Sequence, residues 1–199
     1  MGTRACYGFV KGEEFKLTYN HFDGYIEGLG FKLKEELRNF TLGEMREAFD
    51  YIKMIKDDSD IVPDDILEKL VNKKYVKSKS KCMEWYWALR EYQGSIKPFL
   101  EWDIDCRYMT DGTNYKDYEY MYVIDLNNGT FISKKIDYNE NESLFHFKKG
   151  IKKYDNFIKK LKERNKAFII DLDKLNSISN DEYLSLYNKR EKESEIING

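Results

Sequence analysis

Residues 5–20 read ACYGFVKGEEFKLTYN, two alternating stretches folded about one glycine. This is the feature that most restricts the fold. Ala5, Tyr7 and Phe9 alternate with other residues, as do Phe15, Leu17 and Tyr19, and Lys11-Gly12-Glu13 stands between them. Period-two spacing places each set on one face of a strand. The short glycine-bearing link predicts an antiparallel hairpin over 5–10 and 14–20. A lone two-stranded ribbon is barely stable in water, so the rest of the chain must cover it and extend it.

More strands are predicted beyond about Phe99. Tyr118 to Leu126 (YEYMYVIDL) is aromatic and β-branched, Asn127-Asn128-Gly129 is a hairpin signal, and Thr130 to Ile136 returns. Leu144 to Phe147 and Lys166 to Leu172 read as further strands. Helical signals alternate with these. A weak pattern runs from Phe31 to Phe40. Thr41-Leu42-Gly43-Glu44 is a capping box ahead of a stripe at Leu42, Met45, Phe49 and Ile52. Pro63 opens a short helix through Ile66, Leu67, Leu70 and Val71. Residues 82–92 carry Cys82, Trp85, Leu89 and Tyr92 on one stripe with Met83, Tyr86 and Trp87 beside it, and Gly94 can end that helix. Ile151, Tyr154, Ile158 and Leu161 mark another, and 180–199 is a polar terminal helix. The pattern predicts a single α+β domain over 1–199, an N-terminal hairpin in a mainly antiparallel sheet with helices packed on one face. Its core is aromatic, since 16 tyrosines and 12 phenylalanines offset a modest apolar fraction of 41%.

Charge and cysteine content narrow the function classes. With 34 basic and 36 acidic side chains the net charge is −2. This argues against direct nucleic-acid binding, whose usual footprint is a basic excess, though a local basic patch is compatible with it. Cys6, Cys82 and Cys106 are an odd number without CxxC spacing, so reduced, buried thiols are expected. No hydrophobic leader opens the chain, and no apolar run approaches the ~18 residues of a membrane span. The sequence reads as an intracellular, cytoplasmic protein. No zinc spacing, phosphate loop or EF-hand pattern occurs, so neither a metal site nor a cofactor is expected. The basic run KKYVKSKSK (73–81) is read as a solvated linker or as a contact for an acidic partner.

KLTYNHFDGYIEGLG (16–30) is the stretch with candidate chemistry. If the hairpin forms, Thr3-Arg4 and Asn20-His21 lie side by side at its open end, about 5 Å apart. Catalytic candidates are His21, Asp23 and Asn20, because an imidazole that titrates near neutrality beside a carboxylate suits acid–base work. Binding candidates are Arg4, Tyr19, Asn20, His21, Asp23 and Tyr25. The structural alternative is an Asx-type corner in which Asn20 and Asp23 bond the backbone and the glycines supply positive φ. WYWALREYQG (85–94) is read as core packing or as a partner groove.

The opening MGTRACYGFVKGEEFKLTYNHFDGYIEGLG resembles a family found in bacteriophages, prophages and gut bacteria. Its members carry MGTRG, YGF and TYNHxDxYPxGLG, then a WYxLLRxxQG-like helix and a CEYAYIINLD-like strand. Residues 85–94 and 118–126 match the last two, and the resemblance spans about 1–130. Ile26 stands where that family has Pro, which implies a less rigid loop. The resemblance implies mobile-element origin. The layout TRACYGF…YNHFD is also similar to that of N-terminal nucleophile hydrolases. That chemistry needs a terminal Cys, Ser or Thr, whereas removal of Met1 would expose Gly2, so the similarity implies a layout and not the activity. The expected function is therefore a non-catalytic accessory protein of a phage or mobile element. It would bind a host protein or ribonucleoprotein complex in the bacterial cytosol and inhibit host immunity, as an anti-CRISPR does. The alternative is a hydrolase centred on the Asn20–Asp23 corner.

Overall fold

The computed structural model describes residues 2–112, 118–136, 152–163 and 167–198. Strands β1 (Ala5–Lys11) and β2 (Glu14–Asn20) form the hairpin, in register from Ala5 opposite Asn20 to Lys11 opposite Glu14. Gly12 turns it with φ +58, a left-handed conformation that costs glycine no Cβ clash. A π-type turn (Ile26–Gly30) runs directly into helix α1 (Phe31–Leu37). Next come α2 (Leu42–Tyr51), β3 (Lys53–Met54), α3 (Asp64–Asn72), α4 (Trp85–Arg90), α5 (Lys97–Glu101) and β4 (Tyr108–Met109). The remaining described elements are β5 (Tyr120–Asp125), β6 (Thr130–Lys135), α6 (Lys153–Glu163), β7 (Phe168–Asp171), α7 (Leu172–Ser177) and α8 (Asn180–Asn198).

Five strands make one sheet in the order β2-β1-β5-β6-β7. The β1–β5 pair is parallel and the other three pairs are antiparallel. The fold is α+β, with an N-terminal hairpin in a mainly antiparallel sheet. The capping box is present: the Glu44 N–H donates to Thr41 Oγ1 at 3.2 Å and the Thr41 N–H donates to Glu44 Oε2 at 2.7 Å.

Helices cover both faces of the sheet, not one. Tyr7, Phe9, Tyr122, Ile124 and Phe131 share the larger core with α1, α2, α4, α5, α7 and α8. Cys6, Val10, Leu17, Met121, Val123 and Ile132 share a second core with Phe157 and Leu161 of α6. The reason is in the strands. In β1 and β5 both alternating sets are apolar, which is the pattern of strands buried on two sides. In β2 the consequence is an inversion. Its apolar Phe15 and Leu17 pack on the α6 side, so Lys16, Thr18 and Asn20 turn toward the larger helical layer and are buried there. Lys16 caps the end of α2, its Nζ donating to the carbonyls of Phe49 and Ile52 at 2.9 and 2.7 Å. Asn20, four residues further along the same side, lines a cleft with Lys32 of α1 and Arg90 of α4.

Other local expectations change for tertiary reasons. The helix predicted over 82–92 shrinks to Trp85–Arg90 because Met83 and Glu84 run extended: the Val62 N–H donates to the Met83 carbonyl and Ile61 bridges Glu84. Phe99 lies in α5 rather than in a strand, since Pro98 stands in that helix's first turn and Phe99 and Leu100 are buried. β3 pairs with β4 as a separate two-stranded ribbon that the sequence pattern does not signal. The last strand stops at Asp171 because Leu172 opens α7. The terminal helix is anchored through Tyr183 and Tyr187, both buried, and Tyr183 shares a 2.6 Å hydrogen bond with Ser133. Residues 144–147 with His146, and also Ile151 and Lys166, lie outside the described residues.

Candidate functional site

The hairpin ends where the sequence reading places its chemistry. Ala5 pairs with Asn20, which sets Arg4 and His21 beside each other at the open end. The corner that follows is stitched at nearly every residue. The Asn20 side-chain amide donates to the Phe22 carbonyl. The Gly24 N–H donates to the Thr3 carbonyl at 2.9 Å, the Leu29 N–H donates to the Asp23 carbonyl at 2.8 Å, and the Tyr122 hydroxyl donates to the Gly24 carbonyl at 2.8 Å. The glycines do not act as the Asx-corner reading expects. Asp23 takes the left-handed conformation, φ +52, which Asp tolerates better than most residues. Gly24 and Gly28 serve close approach instead. A Cβ on Gly24 would stand 2.8 Å from the Arg4 carbonyl carbon, and one on Gly28 would stand 2.4 Å from the Asp23 carbonyl oxygen.

The corner meets a segment about seventy residues away in sequence. The His21 N–H donates to Gln93 Oε1 at 2.8 Å, so the stretch 85–94 docks against 20–29. Asn20, Asp23, Lys32, Arg90 and Gln93 line the resulting cleft of ≈ 460 Å³, with Phe22 on its rim. Asn20 is 4% exposed and Phe22 57%. Arg90 also lines a neighbouring cleft of ≈ 740 Å³ together with Lys77, Lys81, Met83, Glu84 and Trp87. Its guanidinium carbon lies 5.9, 6.0 and 5.4 Å from the ring centroids of Phe22, Tyr86 and Trp87. Such cation–π contacts hold an arginine without a carboxylate. No family model, curated protein or solved structure matches the chain. The site is thus read from its own chemistry.

His21 is half-buried, and its Nδ1 has no hydrogen-bond partner among the described residues. Desolvation first, then the Arg90 and Arg4 charges, hold its pKa below the ordinary 6.5. It therefore stays neutral at pH 7. Below about 6.5 the unfolded chain takes up a proton that the folded imidazole resists, so stability falls as pH drops from there through the folded midpoint. An NMR titration of the ring is expected to give a midpoint below 6.5 in the native protein. Arg90→Ala should move it upward, and an unmoved midpoint would refute the electrostatic link. The three thiols are buried and free, and burial pushes each pKa up, which keeps them protonated and poorly nucleophilic.

Of the candidate residues, Asn20 and Asp23 line the cleft. His21 and Arg4 stand behind it, and the Arg4 carbonyl is taken by the Tyr120 N–H at 3.2 Å. Tyr19 packs on the α6 side, and Tyr25 precedes the π-type turn away from the cleft lining. Sequence reasoning passed over Phe22, Lys32, Arg90 and Gln93 as site residues. A signal for Arg90 exists: Tyr86, Trp87 and Arg90 recur at helical spacing on the side opposite Trp85, Leu89 and Tyr92. Those last three are core, whereas Trp87 is 46% and Met83 56% exposed. The apolar arc of this segment is therefore buried on one side only. Lysines of the basic run pair within the chain, Lys73 with Asp103, Lys77 with Glu91 and Lys79 with Glu68. Among the described residues no helix is long and apolar enough to cross a membrane, and no group of three or more His, Cys, Asp or Glu is placed to hold a metal.

Proposed function

We propose that the protein is a non-catalytic accessory protein of a phage or mobile element. In this reading it works in the host cytosol by binding a protein or ribonucleoprotein complex, and it inhibits host immunity in the manner of an anti-CRISPR. The observation that carries the reading is the exposed cluster of Phe22, Trp87 and Met83 around Arg90, where two clefts join. Trp, Tyr and Arg dominate the residues that supply binding energy at protein interfaces. Rings that a monomer leaves in water beside a cation without a carboxylate have the composition of such a spot.

The test is comparative. The native protein should co-purify one host defence complex and restore phage plating on a host that carries it. Arg90→Ala and Trp87→Ala should each abolish both effects without lowering the melting temperature, and Ile169→Ala, a change at another exposed apolar residue, should leave both intact. Retention of both effects in the Arg90 and Trp87 variants would refute the reading. A hydrolase centred on His21 and Asp23, with Asn20, is the second reading, favoured by the unpartnered Nδ1 of a neutral His21. His21→Ala separates the two, since a binder keeps its partner and a hydrolase loses turnover.

A further inference from the structure

The two clefts offer cations and exposed rings side by side. Arg90 is common to both, and exposed rings flank it, Phe22 on the rim of one cleft and Trp87 on the wall of the other. Lys32 stands in the first cleft, and Lys77 and Lys81 in the second. Among the described residues none of Arg90, Lys32 and Lys81 has a carboxylate within ion-pair distance; the neighbouring Lys77 is paired with Glu91 at 3.3 Å. Acceptors stand beside the cations: Asp23 and Asn20, whose amide nitrogen is already committed to the Phe22 carbonyl, in the first cleft, and Glu84 and Glu91 in the second. Gln93 lines the first cleft, and its oxygen serves the His21 N–H, which leaves its amide nitrogen as a donor.

We propose that the clefts that meet at Arg90 take one step of a single-stranded nucleic acid, with the phosphodiester on the Arg90 guanidinium and the flanking bases on Phe22 and Trp87. Exposed rings interleaved with cations are the platform on which unpaired bases stack. The acceptors call for a ligand that carries donors beside its anion, which a carboxylate side chain by itself does not supply to Asp23, Asn20 Oδ1 or Glu84. Unpaired bases carry N–H and NH₂ groups that satisfy such acceptors, and their ring nitrogens and carbonyls accept from Gln93. A phosphate takes the guanidinium's forked donors. The net charge of −2 is an average over the chain and does not describe this patch. The inference rests on the reading that this face is the binding surface, and it names the part of a ribonucleoprotein partner that the face would grip.

Fluorescein-labelled oligo-dT and oligo-rU are the probes, followed by anisotropy and by quenching of tryptophan emission, with unlabelled poly-glutamate as competitor. Saturable binding of at least one oligonucleotide is expected, with poly-glutamate a poor competitor. Phe22→Ala and Trp87→Ala should each weaken it about tenfold, and Trp87→Ala should also remove most of the quenching. Arg90→Ala should lower the slope of log affinity against log salt by about 0.7, one phosphate contact on a single strand, and Arg90→Lys should keep most of that slope. Three results would overturn the inference: no saturable binding of either oligonucleotide, affinity unchanged in the Phe22→Ala/Trp87→Ala double variant, or displacement by poly-glutamate as readily as by unlabelled oligonucleotide. Each leaves the co-purification test standing, so failure here is distinguishable from failure of the proposed function.

Discussion

Gly8→Ala is expected to destabilise the protein by roughly 4 kcal/mol, the combined scale of core overpacking and backbone strain. Gly8 sits in the middle of β1, opposite Leu17 on one side and Val123 on the other. An added Cβ would stand 2.1 Å from the Lys16 carbonyl oxygen and 2.9 Å from the Leu17 Cα. Those are backbone atoms of the neighbouring strand, which cannot rotate away as a side chain would. The φ of +153 at Gly8 adds strain for any L side chain. Against a total stability of about 5–15 kcal/mol, such a loss threatens folding at growth temperature. Gly12→Ala is the control. It lies in the hairpin turn at φ +58 with open space around its Cβ position, so only the left-handed penalty of about 1–2 kcal/mol applies. Urea denaturation of both variants checks the pair, and equal midpoints would show that the close approach at Gly8 is not what matters.

Glu36→Ala is expected to cost about 3 kcal/mol, the scale for losing charge-assisted hydrogen bonds that leave a buried donor unmet. The Glu36 carboxylate, buried on α1, accepts from the Ser95 hydroxyl at 2.9 Å and from the Ile96 N–H at 2.7 Å. Tyr7, in the centre of the sheet, donates its hydroxyl to the Ser95 carbonyl at 3.1 Å. One carboxylate thus ties α1 to the link between α4 and α5, and that link carries Gln93 and Gly94 on the cleft wall. Glu36→Gln keeps an acceptor and should cost about 1 kcal/mol. The consequence reaches the site: in the Ala variant the His21 N–H should exchange with solvent faster, because its acceptor Gln93 is no longer held. Unchanged exchange at His21 with the expected stability loss would show that Glu36 supports α1 alone.

Much of the fold was legible where one physical rule acts over a few residues. The hairpin register follows from period-two alternation and a glycine turn, and the start of α2 from a hydroxyl three residues ahead of a carboxylate. The candidate site was legible only in part. Asn20 and Asp23 were found because they crowd one corner, but Tyr19 and Tyr25 share that corner without sharing its cleft. Arg90 and Gln93 went unread as site residues because an aromatic stripe at helical spacing looks alike whether it faces core or water. The second sheet face was missed because β1 and β5, with two apolar sets each, were read as strands with one buried side, whereas α6 covers the other through Phe157 and Leu161.

The sequence by itself determined the elements that local sterics and hydrogen bonding decide: a twice-alternating ribbon, capped helices, an aromatic interior and three thiols without a disulfide pattern. Only the tertiary structure decided that the polar side of β2 turns inward, that Trp85 is buried while Trp87 is wet, and that Asn20 meets Arg90 across a cleft. Those outcomes depend on which surface packs on which. Burial and contact between segments seventy residues apart are set by the closed fold as a whole and are not fixed by either segment alone.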